Sequence, residues 1–61
     1  MNYTDKCLIS IMAQKATEEK NVNIYCQFGE LNGLNTCFLA CGKKQVFTIK
    51  YDEAKKFIKS L

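Results

Sequence analysis

The 61 residues carry a formal net charge of +3 and are 48% hydrophobic, enough apolar content for one small folded domain over residues 1–61 and too much for wholesale disorder. All nine basic residues are lysine, and histidine, arginine, tryptophan and proline are missing. That composition removes the usual general base near neutral pH, the imidazole metal ligand and the bidentate grip on phosphate. No run approaches the roughly 18 apolar residues of a membrane span, and Asp5 precedes a short apolar run, which makes a poor signal peptide; a cytoplasmic protein is the default expectation.

In chain order, residues 1–3 read as a loose end. Thr4 reads as the N-cap of a helix in which Leu8, Ile9, Met12, Ala13 and Ala16 form one apolar stripe, with Asn21 suited to the position just past its end. The competing reading makes residues 5–13 a strand, with Cys7, Ile9, Ile11 and Ala13 on one face, and leaves residues 14–21 as a long loop.

The strongest local signal follows. Two alternating runs, near 22–29 and 34–41, flank Asn32-Gly33, a dipeptide suited to a type I′ turn because both central residues need positive φ. That turn sets Leu31 opposite Leu34, Phe28 opposite Cys37, Cys26 opposite Leu39 and Ile24 opposite Cys41. A one-residue slip would move Phe28 and Leu39 among polar groups, so pattern and turn select the same register.

Gly42-Lys43-Lys44 is the next turn. A three-residue loop would keep Phe47 and Ile49 on the apolar face beside Leu39 and Cys41, and hydrophobicity favours it over a two-residue loop that would place Val46 and Thr48 there. The third strand is then about 45–50. A second helix is expected from Asp52, with Ala54, Phe57, Ile58 and Leu61 as its apolar stripe and acids at the positive end of its dipole.

The fold expected is α+β, a small two-layer sandwich of order αβββα, with a three-stranded antiparallel meander and both helices on one face. The alternative is ββββα.

Charge separates along the chain. Residues 1–42 hold three lysines against four acids, whereas residues 43–61 hold six lysines against Asp52 and Glu53. Lys43, Lys44, Lys50, Lys55, Lys56 and Lys59 are therefore the candidate anion or nucleic-acid contacts.

The cysteines at 7, 26, 37 and 41 could in principle hold zinc or form disulfides. Cys37 and Cys41 lie on a strand pattern, where residues four apart are roughly 13 Å from each other, and Cys26, Cys37 and Cys41 share the apolar face. Buried thiols, with no metal and no cofactor, are the expectation.

The opposite sheet face is the candidate interface: Tyr25, Gln27, Leu31, Leu34, Thr36, Phe38, Ala40 and Val46. Aromatic and aliphatic side chains among polar, uncharged neighbours suit the centre of a protein interface. Catalysis finds no support, since no cysteine has a histidine partner and every carboxylate falls at an element end or turn.

The element order, with a basic last helix, resembles the double-stranded-RNA-binding domain. That family opens its last helix with Lys-Lys-x-Ala-Lys, of which Asp52-Glu53-Ala54-Lys55-Lys56 keeps Ala54-Lys55, with Tyr51 and Asp52 where the paired lysines would stand. Glu30-Leu31-Asn32-Gly33 occupies the place of its Gly-Pro-x-His turn. The resemblance implies the scaffold without the usual RNA contacts. The ββββα alternative is similar instead, by topology, to the single-strand-binding transcriptional coactivator fold.

The function expected is a non-enzymatic protein-binding module, such as an accessory or inhibitor protein of a phage or mobile element that blocks a host enzyme or defence complex. A protein partner and a homodimer are expected. The alternative is nucleic-acid binding through the C-terminal lysines.

Overall fold

A computed structural model describes residues 1–61 as α1 (Tyr3–Lys20), β1 (Tyr25–Leu31), β2 (Leu34–Cys41), β3 (Lys44–Thr48) and α2 (Tyr51–Lys59). Residues 5–13 are helical, so the order is αβββα.

α1 begins one step before the expected cap. Asn2 has extended backbone, and its Oδ1 accepts the Asp5 N–H at 2.8 Å, so Asn2 rather than Thr4 caps the helix. The chain start is also tied down. The Met1 carbonyl accepts a hydrogen bond from Asn35 Nδ2 at 2.8 Å, and Met1 packs against the core, which corrects the expectation of a loose end. At its far end α1 stops on Asn21, in the left-handed region with φ 53°.

Ile9, Ala13 and Ala16, at i, i+4 and i+7, are the buried face of α1. Met12 is half-buried beside them. Leu8, expected in the stripe, is 42% exposed, because a position next to Ile9 is turned about 100° around the helix. The alanines let α1 approach closely, at the cost of little apolar area per residue.

The sheet has the order β1-β2-β3, all antiparallel. The first hairpin has the expected register, with Cys26 opposite Leu39, Phe28 opposite Cys37 and Leu31 opposite Leu34. Asn32 and Gly33 both take positive φ, 53° and 81°, the signature of a type I′ turn. β1 starts at Tyr25, later than expected, and residues 22–24 connect it to α1, so the Ile24–Cys41 pairing falls outside the ladder.

The second hairpin differs from the expectation. Its loop has two residues, Gly42 and Lys43, with Cys41 opposite Lys44, Leu39 opposite Val46 and Phe38 opposite Phe47. Gly42 has φ 63°, and a glycine at the first central position is what a type II′ turn requires. Val46 and Thr48 therefore face the helices, and Phe47 faces away, 59% exposed. Ile49, also expected in the core, lies just past β3 and is 41% exposed.

Turn geometry outweighs hydrophobicity here because the inward hydroxyl is satisfied. Thr48 is buried, its Oγ1 donates to Glu53 Oε2 at 2.7 Å and accepts the Lys50 N–H at 3.0 Å. Those two bonds offset the desolvation of a buried polar group. They also join the end of β3 to the first turn of α2, whose N-cap Lys50 has no side-chain cap of its own.

The core lies between the sheet and both helices. Cys37 and Leu39 of the central strand meet Ile9, Ala13 and Ala16 of α1 and Ala54 and Ile58 of α2, with Phe28, Val46 and Phe57 packed around them. Lys20 links the two helices at their ends, its Nζ donating to the carbonyls of Ile58, Lys59 and Leu61 at 3.4, 3.3 and 2.6 Å. The Ile58 carbonyl also accepts the Leu61 N–H at 3.3 Å, and a cation at this end of α2 is favoured by the helix dipole. No helix is long and apolar enough to cross a membrane.

Candidate functional site

Because both helices cover one side of the sheet, the other side is bare. Alternation along the strands places Tyr25, Gln27, Gly29 and Leu31 of β1, Leu34, Thr36, Phe38 and Ala40 of β2, and Gln45 and Phe47 of β3 on it. Seven of the eight expected interface residues are thus brought together. Val46 is the exception: opposite Leu39, it belongs to the half-buried core side, and Phe47 takes its place on the open face. The signal that identifies Phe47 is Gly42 followed by Lys43, a type II′ pair, which the apolar count of the three-residue loop overrode.

The residues that alternate onto this face are mostly apolar and carry no charge. Tyr25, Leu31, Leu34 and Phe47 are each more than half exposed, and Phe38 and Ala40 are half-buried between them. Tyr25 meets Phe38 edge to face, with ring centroids 6.0 Å apart and planes at 66°, and its hydroxyl donates to Gln27 Oε1 at 2.9 Å. On the other flank Phe38 lies opposite Phe47, so three aromatic rings cross the sheet from edge to edge.

A hollow of about 260 Å³ opens in this face, lined by Gly29, buried Thr36, Leu31, Phe38 and Phe47 and by one charged residue, Glu30. Its depth depends on Gly29. A Cβ there would stand 3.2 Å from Thr36 Oγ1, tighter than ordinary van der Waals contact, and would begin to fill the hollow.

The lysines lie elsewhere. Lys43 is in the β2–β3 turn, Lys44 opens β3, Lys50 caps α2, and Lys55, Lys56 and Lys59 are within α2. Lys55 Nζ stands over the Tyr51 ring at 6.0 Å from its centroid. The α2 lysines and the open-face aromatics therefore occupy opposite layers of the molecule.

All four cysteines are free thiols. Burial, then neighbouring Cys26, pushes the Cys37 thiol up from 9.0 to about 12. Burial likewise raises Cys26, against an opposing hydrogen bond with Cys37. Both thiols are held protonated at neutral pH, which makes them weak nucleophiles and weak metal ligands. Glu53, though exposed, accepts the hydrogen bond of the buried Thr48 hydroxyl.

No family model, curated protein or solved structure matches the chain.

Proposed function

We propose that the chain is a non-enzymatic protein-binding module that docks a partner protein on its open sheet face. The observation that carries this reading is the row of Tyr25, Phe38 and Phe47 across a face onto which strand alternation places no charged residue, with Glu30 alone at its hollow, in a chain where a quarter of all residues are charged. An uncharged aromatic patch flanked by Gln27, Gln45 and Thr36 has the makeup of an interface centre. Docking through this face would let the chain cover a surface of its partner, as an accessory or inhibitory subunit does.

The test is comparative capture from the native host, quantified by mass spectrometry, with wild type and the double variant Leu34→Asp, Phe47→Asp. Both positions are over half exposed, so the variant keeps its helices and sheet by circular dichroism. Partner binding should weaken about 30-fold or more, the loss of at least one aromatic anchor of about 2 kcal/mol. Equal retention of every partner by the two proteins refutes the reading.

A further inference from the structure

The two edges of the sheet are unequal. β3 is five residues long, starts with Lys44 and leads into Lys50, whereas β1 runs seven residues with an unbroken register and no lysine or proline. Charged, short or bulged edges are how sheets avoid pairing with other chains, and β1 has none of these protections beyond Glu30.

The first turn decides which backbone groups of β1 are free. Leu31 and Leu34 close the two-residue loop and exchange both hydrogen bonds, and the alternation continues through Gly29, Gln27 and Tyr25. Cys26, Phe28 and Glu30 therefore turn their N–H and C=O groups outward, along the free edge.

A groove of about 520 Å³ runs beside that edge, between Ala13 and Thr17 of α1 and Ile24, Cys26 and Phe28. These last three point to the core side yet are only half-buried, while Cys37 and Leu39, one strand inward, are fully buried. On this flank the core is one strand short.

We infer that a second copy of the chain supplies that strand. Its β1 pairs antiparallel with this β1, giving one six-stranded sheet of order β3-β2-β1-β1-β2-β3. The strand is self-complementary about Phe28, the register that pairs all seven residues. Phe28 then meets Phe28 of the second copy in the groove, Cys26 meets Glu30, Gln27 meets Gly29, and Tyr25 meets Leu31. The last pair brings together two side chains that are each over half exposed, in the close, non-hydrogen-bonded position with Cα atoms about 4.5 Å apart. No lysine of this +3 chain enters the contact, and the one charge in β1, Glu30, does not face itself. Seven residues a side is well below the roughly 20–30 of a standard interface, so the dimer dissociates in the micromolar range or above.

The contact uses a strand edge rather than the open face, and it stands or falls separately from the protein-binding reading. Sedimentation equilibrium of the full chain should show the 7.0 kDa mass doubling as concentration rises toward millimolar. Cys26→Pro removes an outward N–H and no backbone bond to β2, with only the weak thiol contact to Cys37 lost, so it should stay folded and monomeric, while Leu34→Asp with Phe47→Asp should still dimerise. Amide exchange provides the second readout, independent of any variant. The amides of Cys26, Phe28 and Glu30 should slow about tenfold or more from dilute to millimolar protein, with those of Tyr25 and Gln27 unchanged because β2 already holds them. A wild-type chain that stays monomeric, a dimer that survives folded Cys26→Pro, or exchange at Phe28 and Glu30 that ignores concentration overturns the inference. A dimer lost in Leu34→Asp, Phe47→Asp overturns it as well, in favour of face-to-face pairing.

Discussion

Thr48→Val is the substitution that bears most directly on how this sheet is registered. Valine keeps the shape and β-branching of threonine, so the change isolates the hydroxyl. In the two-residue loop register that hydroxyl is buried, donates to Glu53 Oε2 at 2.7 Å and accepts the Lys50 N–H at 3.0 Å. The bond to the carboxylate contributes about 1.5–3 kcal/mol and the bond from the amide about 0.5–1.5. Glu53 is exposed and regains water, and the new methyl group gains about 0.8 kcal/mol of burial. The net loss is about 2 kcal/mol. A core in a chain this short supplies only about 3–5 kcal/mol in total, so the midpoint of thermal unfolding should drop by roughly 8–16 °C. Urea unfolding followed by circular dichroism measures the loss, and a cycle with Glu53→Ala should give a coupling of about 1 kcal/mol. In the three-residue loop register Thr48 would sit on the open face, where valine is neutral or favourable in a strand. A variant within about 0.5 kcal/mol of wild type, or strict additivity with Glu53→Ala, would refute the register argument.

Two other consequences follow from single side chains. Because the Cys37 thiol is raised to about 12 in the folded state against an ordinary 9.0, the folded chain holds its proton where the unfolded chain has lost it. Its contribution is complete below pH 9 and declines from there to about pH 12, by up to about 1.4 kcal/mol per pH unit; urea midpoints at pH 8 and pH 10.5 should separate in wild type and separate less in Cys37→Ala, where the raised Cys26 thiol still titrates. Lys20→Met should cost about 0.5–1 kcal/mol by leaving the last carbonyls of α2 without their cation, with the difference shrinking in high salt. Unaltered stability of Lys20→Met at low salt would show that those contacts contribute nothing.

What the chain determines locally is above all its first hairpin. Asn32-Gly33 admits one tight turn and the alternation around it admits one register, so the first hairpin and the β1 and β2 part of the bare face were legible from the sequence, whereas the stripe of residues 8–16 favoured a helix without excluding a strand over residues 5–13. Most of the candidate site shares that origin, since Tyr25, Gln27 and Phe38 owe their side of the sheet to the same turn.

The second hairpin was not decided locally. Counting apolar residues favours Phe47 and Ile49 inside, whereas the folded chain places Val46 and Thr48 there and exposes Phe47. The reason lies five residues downstream, where Glu53 on α2 accepts the Thr48 hydroxyl and makes an inward polar group tolerable next to a type II′ turn at Gly42. The chain start is the same kind of case: Met1 is held by Asn35, a residue 34 positions away whose nearness only the assembled sheet creates. Local pattern settles which residues share a strand face, and tertiary hydrogen bonds settle whether that face can be buried.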